Sequence, residues 1–136
     1  MITYNATGID MPKIKKRLTT SWIKTVAATY DRIIGDVGYM FVNDDLILEY
    51  NKRYLGRNFH TDIITFDYDE ANVINGDVII SIDTVRSNAE RFNTTFEEEL
   101  DRVIIHGILH LCGINDETPE DFKRMKEEEN KALSIR

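Results

Sequence analysis

The segment from Thr95 to Gly113, T-F-E-E-E-L-D-R-V-I-I-H-G-I-L-H-L-C-G, limits what this chain can fold into more than any other. Thr95 with Glu98 has the form of a capping box, which opens a helix by satisfying orphan N–H groups. Leu100, Val103, Ile104, Ile108 and Leu111 then recur at helical spacing, and Ile105, Leu109 and Cys112 fill much of the other side. A helix apolar nearly all round is stable only when buried, so this one runs through a core. Gly113 is a natural stop.

The remaining elements have to cover that helix. Ile2-Thr3-Tyr4 reads as a short strand. Asp10 offers an N-cap with Pro12 in the first turn, and Ile14, Leu18, Trp22 and Val26 give a helical stripe. Gly35 and Gly38 bracket a turn into a strand at 39–42, and Asn43-Asp44-Asp45 caps a helix that buries Leu46 and Tyr50. A strand at 62–66 is followed by an Asn75-Gly76 turn into its hairpin partner at 78–80. A helix covers 84–92. After the buried helix, Thr118 to Asp121 opens a polar helix with only Phe122, Met125 and Leu133 to bury. This order predicts an α+β fold, a small mixed four-stranded sheet packed with about five helices. With 136 residues and no linker composition, one domain over 1–136 is expected.

Charged residues at 30% and apolar ones at 42% exclude disordered and membrane-spanning classes. The N-terminus lacks a signal-peptide pattern, and a lone cysteine, Cys112, suits a reducing cytoplasm. The net charge of −7 argues against broad nucleic-acid coating but not against a local basic cleft. Lys13, Lys15, Lys16, Arg17 and Lys24 load the N-terminal third, whereas acids crowd the C-terminal third.

Two of the three histidines, His106 and His110, lie on the buried helix at i, i+4. That spacing puts both imidazoles on one face, where they can share a metal ion. The competing reading is a pair of hydrogen-bonded core histidines. Asp116 follows after Gly113, so the run reads H-x3-H-x5-D: two ligands from a helix, a reversal, and a third from the returning chain. Three protein ligands leave a position open, as catalytic rather than structural sites do. Glu117 is the alternative third ligand, and Cys112 reads as core. The spacing is similar to the metzincin signature H-E-x-x-H-x-x-G-x-x-H. However, Gly107 stands where that class needs its glutamate base, which disfavours a metalloprotease. Glycine there is expected to clear space beside the first ligand.

H-G-I-L-H-L-C-G, with the upstream runs G-D-V-I-I-S-I-D-T-V and Y-L-G-R-N-F-H-T-D-I-I-T-F, resembles the YbeY family of bacterial endoribonucleases. The family pattern is H-G-x-L-H-L-x-G-x-D-H, after Y-R-G-K-D-x-P-T-D-V-L-S-F and G-D-I-x-I-S. The resemblance implies a zincin-like fold and a metal-dependent ribonuclease acting on single-stranded RNA in rRNA maturation and ribosome quality control. Zn2+ is the implied ion. His106 and His110 match the first two ligands; Asp116 replaces the usual third histidine, and Asn115 the Asp before it. A carboxylate is an acceptable zinc ligand, and it also makes Mn2+ or Mg2+ less implausible. Leu55 replaces an arginine after Tyr54, so Arg57, at the family's Lys position, is the expected phosphate-binding cation, ahead of Arg53. His60, at the Pro position, is a candidate acid or base, and Asp62 could position a ligand imidazole. The expected partners are single-stranded rRNA and the ribosome or a ribosome-associated protein, with no membrane and no DNA. The alternative is a non-catalytic ribosome-associated metal-binding protein, with a metalloprotease as a weaker third reading.

Overall fold

The computed structural model describes residues 1–57 and 61–136. Its elements follow the predicted order: β1 (Ile2–Ala6), α1 (Lys16–Ala28), β2 (Ile33–Val42), α2 (Asp44–Leu55), β3 (Ile63–Asp67), β4 (Val73–Ser81), α3 (Ile82–Arg91), α4 (Phe96–Leu111) and α5 (Pro119–Ser134). The strands form one mixed sheet in the order β1-β2-β4-β3, with β1, β2 and β4 parallel and β3 antiparallel to β4. This is the expected α+β class. No helix among the described residues is long and apolar enough to cross a membrane.

Side chains alternate across a strand, and the alternation here sorts two apolar clusters. Tyr39, Phe41, Ile74, Val78 and Ile80 face α4, whose Ile104, Ile105, Ile108 and Leu109 are fully buried. α1 closes the same layer with Trp22, Ile23 and Val26. Val42 and Ile64 point the other way, onto Ile47 of α2. The aromatic polar tips are satisfied inside this core. Tyr39 Oη donates to Ile104 O at 2.9 Å, and Trp22 Nε1 donates to Ala132 O at 2.8 Å.

Several local expectations change. α1 begins at Lys16 without a side-chain cap rather than after Asp10, and it buries Thr19, Trp22, Ile23, Val26 and Ala27. Leu18 is exposed. Ile14 precedes the helix, and steps of four residues drift around it by about 40° each, so the stripe reaches the buried face only at Trp22 and Val26. Gly35 and Gly38 lie inside β2, where the pairing register shifts between Ile34 and Val37. Asn75-Gly76 lies inside β4, and the hairpin turns instead at Ala71-Asn72, closed by the Glu70 and Val73 backbone bonds at 3.2 and 2.9 Å. Gly76 is required by close approach: a Cβ there would collide with the Phe66 carbonyl of β3. α2 is capped by Asn43 as expected but buries Ile47 and Asn51, leaving Leu46 and Tyr50 half-buried. Only half of the Thr95 capping box forms, because Glu98 takes the Thr94 hydroxyl instead.

Candidate active site

α4 ends in a turn that decides where the chain goes next. Gly113 adopts φ +96°, its N–H bonds His110 O at 3.0 Å, and Ile114 bonds Leu109 O at 3.1 Å. Ile114 is buried, which anchors the loop and swings Asp116 back over α4. Asp116 Oδ2 thereby stands 3.4 Å from His106 Nε2. That is long for a hydrogen bond. It equals the separation of two donors about 2.1 Å from one ion at a tetrahedral angle, about 3.4 Å.

The other nitrogen of His106 is held by a residue that the sequence did not single out. Glu129, on α5 and buried, pairs its Oε2 with His106 Nδ1 at 2.8 Å, while its Oε1 accepts from Arg102 Nη1 at 2.8 Å. A carboxylate on Nδ1 orients the ring and favours a proton there, which leaves Nε2, facing Asp116, as the nitrogen able to bind an ion. Burial alone would lower the His106 pKa. The Glu129 hydrogen bond and charge, with Asp62 and Asp116, outweigh it and hold the pKa above its ordinary value. For Glu129, burial pushes upward, but the bonds from His106 and Arg102 prevail and its pKa is lowered. Three carboxylates and the Arg102 guanidinium thus surround one imidazole.

His110 lies one turn on, its ring parallel to that of His106 at 6.5 Å between centroids. Its Nδ1 is buried without a hydrogen-bond partner among the described residues. Two imidazoles on one tetrahedral ion have centres about 5 Å apart. As they stand, therefore, no three His, Cys, Asp or Glu donors among the described residues close around one point. The donor set, two imidazoles and a carboxylate, fits a divalent ion in type.

These groups form the floor of a cleft of about 460 Å³ beside the edge strand β3, which Arg57, Asp62, Leu55, Glu117 and Phe122 also line. Arg57 is placed by the end of α2: Gly56, at φ +64°, reverses the chain, and the Arg57 N–H reaches back to Asn51 O at 3.1 Å. Arg57 makes no ion pair among the described residues, whereas Arg53 is exposed and paired with Glu49 at 3.1 Å. Asp62 is half-buried, and that burial raises its pKa against the opposing charge of His106. Glu129, rather than Asp62, holds the imidazole. Glu117 is exposed on the rim. His60 lies outside the described residues.

Gly107 does not clear space beside the ligand. Its missing side chain faces the sheet, where a Cβ would sit 2.9 Å from Val78 Cγ1 and 3.2 Å from Ile63 Cδ1. The glycine lets α4 press onto β3 and β4, and a glutamate there would break that packing. Phe122, expected to be buried, lies in the cleft instead. A larger groove of about 720 Å³ between β1 and α1 gathers Lys16, Arg17 and Lys24. It lies at the opposite edge of the sheet and contains no histidine or carboxylate.

Fold and cleft together define a small α+β protein whose cleft, lined by histidines, carboxylates and an arginine that makes no ion pair among the described residues, suits hydrolysis of a phosphate ester. Residues 3–135 match the model of the family described as Endoribonuclease YbeY. A protein named Endoribonuclease YbeY from Bacteroides fragilis is 58% identical over 135 residues, covering 99% of this chain and 97% of its own length. One from Bacteroides thetaiotaomicron is 54% identical, covering 99% and 98%. The solution structure of TM1509 from Thermotoga maritima aligns with a TM-score of 0.65 at 30% identity, over 99% of this chain and 91% of that one. This chain belongs to the endoribonuclease YbeY family, a family of hydrolytic nucleases.

Proposed function

We propose that this protein is a metal-dependent endoribonuclease that cuts single-stranded RNA during ribosomal RNA processing and ribosome quality control. It would act in the cytoplasm and reach its substrate through the ribosome or a ribosome-associated protein. The observation that supports this best is the facing pair of His106 Nε2 and Asp116 Oδ2 at 3.4 Å, in a cleft that also holds Arg57. His106, His110 and Asp116 would hold the ion; Zn2+ suits two imidazoles and a carboxylate, and Mn2+ or Mg2+ suits the carboxylate-rich surroundings. A bound divalent ion supplies Lewis-acid polarisation of a phosphate oxygen and acidification of water.

The chain's own residues do the rest. Glu129 keeps the proton on Nδ1 of His106, so that Nε2 stays a donor of electrons rather than of a hydrogen bond. Arg102, bonded to the same carboxylate, keeps Glu129 ionised and in place. Arg57 presents a planar guanidinium to the phosphodiester, where two parallel hydrogen bonds hold the charge that develops on its oxygens.

The test is cleavage of an end-labelled single-stranded RNA by metal-free, zinc-loaded and manganese-loaded protein, with His110→Ala, Asp116→Ala and Arg57→Ala alongside. Metal-dependent cutting that His110→Ala and Asp116→Ala abolish supports the reading, with Arg57→Ala expected to raise KM. Cutting that survives His110→Ala refutes it. A folded, metal-loaded wild type that cuts nothing points to the non-catalytic binding protein.

A further inference from the structure

Phe122 continues the buried face of α5 by one turn beyond Met125, Glu129 and Ala132, which pack against the body of the protein. At that end the stripe runs past the core and out over the cleft. Phe122 is 62% exposed, and it lines the same cleft as His106, His110 and Asp116. Its turn of helix is rigidly set. Pro119 stands in the first turn, and Thr118 and Asp121 bond reciprocally at 3.1 and 3.2 Å. A single exposed phenylalanine is ordinary on a protein surface. One fixed on the wall of a reaction cleft, with a second exposed apolar side chain in the same lining, is not. Leu55, 37% exposed, lines the cleft from the end of α2, and its neighbour Tyr54 is fixed edge-on to Phe66 at 6.1 Å. The cleft thus joins charged groups with exposed apolar ones. A nucleotide has the matching division, with a charged phosphodiester on one side of its sugar and a flat, weakly polar base on the other.

We infer that Phe122 is a base-stacking platform: its ring takes the face of an unpaired nucleobase next to the phosphodiester held over His106, Asp116 and Arg57. Aromatic rings bind single strands in this way without reading sequence, because every base has a π-face. A base within a duplex has both faces already stacked, so the platform also favours single-stranded over paired RNA. The inference rests on the nuclease reading of the cleft and adds the residue that grips the base. Phe122 acts here as a positioning residue.

Its test measures binding separately from cutting. A short fluorescein-labelled, phosphorothioate-linked oligoadenylate, which resists cutting, is titrated by anisotropy with zinc-loaded wild type, Phe122→Ala, Phe122→Leu and Phe122→Trp. The titration is repeated with a series of the same RNA carrying one abasic nucleotide at successive positions. Phe122→Ala is expected to weaken binding roughly 5- to 150-fold, the range of one base–aromatic stack. Phe122→Trp is expected to hold affinity, and Phe122→Leu to lose it although it remains apolar. With the base removed at one position, wild type and Phe122→Ala are expected to bind alike. In metal-loaded cleavage, KM rises and kcat stays near wild type. Equal binding of intact RNA by wild type and Phe122→Ala overturns the inference, as does an equal loss at every abasic position or a wild type that binds no RNA. Failure of the nuclease reading shows separately, as absent cutting or as cutting that survives His110→Ala.

Discussion

Replacing Glu129 by glutamine keeps the shape of the side chain and removes the charge that two donors share. In wild type the carboxylate accepts from His106 Nδ1 and from Arg102 Nη1, each at 2.8 Å, with only 11% of the side chain exposed. The amide has one oxygen, so one donor loses its acceptor and meets an NH2 group instead. A hydrogen bond to a charged group contributes about 1.5–3 kcal/mol. Arg102 recovers part of its share, because its side chain is 30% exposed and also bonds Asn130 at 2.8 Å. Glu129→Gln is therefore expected to cost about 2–3 kcal/mol. At about 2.1 cal/mol/K per residue, a chain of 136 residues loses about 3.5 °C in Tm per kcal/mol, so Tm falls by about 7–10 °C.

The pH dependence sharpens the expectation. Glu129 has a lowered folded-state pKa, so its contribution is present above the ordinary value of 4.5 and lost as pH falls through the folded value. His106 has a raised one, so its contribution is complete below 6.5 and lost as pH rises through the folded value. The gap between wild type and variant in EDTA should thus be widest between about pH 4.5 and 6.5 and narrow as pH rises through the folded value of His106. Thermal denaturation across that range is the assay. A variant within about 0.5 kcal/mol of wild type, the scale of an inconsequential surface change, would show that the pair does not hold the site together. A gap that widens from pH 6 to pH 8 would refute the charge assignment.

Gly107→Ala should gain about 1 kcal/mol of helix propensity and lose about 1–3 to overpacking, with a Cβ 2.9 Å from Val78 Cγ1. Net destabilisation is expected in urea unfolding, and adding Val78→Ala should cost less in this background than in wild type. Thr118→Ala removes the cap on α5 and should cost about 1 kcal/mol, seen as a Tm lower by about 3–4 °C. Burial pushes the Cys112 thiol up to about 11, so its thiolate is scarce at neutral pH. Iodoacetamide at pH 8 should alkylate it on the order of 100-fold more slowly than an unperturbed thiol, the rate rising tenfold per pH unit as far as pH 10. A fast reaction at pH 8 would mean that the thiol is not desolvated.

The element order, the buried character of α4 and the placing of His106 and His110 on one face were all legible in the sequence, because each is a matter of local spacing. Helical periodicity puts residues i and i+4 together whatever the rest of the chain does. The return of Asp116 was legible too, since it needs only a helix end, a glycine and a few residues of loop. Asn75-Gly76 and Gly107 show where local reasoning stops. Glycine permits a turn, but it equally permits close contact, and only the partner strand or sheet says which; here Phe66 O and Val78 do. The Phe122 stripe has the right period and the wrong outcome, because periodicity tells which side of a helix is apolar but not how far the core beneath it extends. Glu129 was illegible for a plainer reason. It lies 23 residues from His106 in an acidic helix where nothing local distinguishes it from its neighbours. Sequence alone determined that His106, His110 and Asp116 gather at the C-terminal end of α4. The packing of α5 across α4 decided which carboxylate is buried against the imidazole and which aromatic ring is left open over the cleft, since burial and pairing arise between elements distant in the chain.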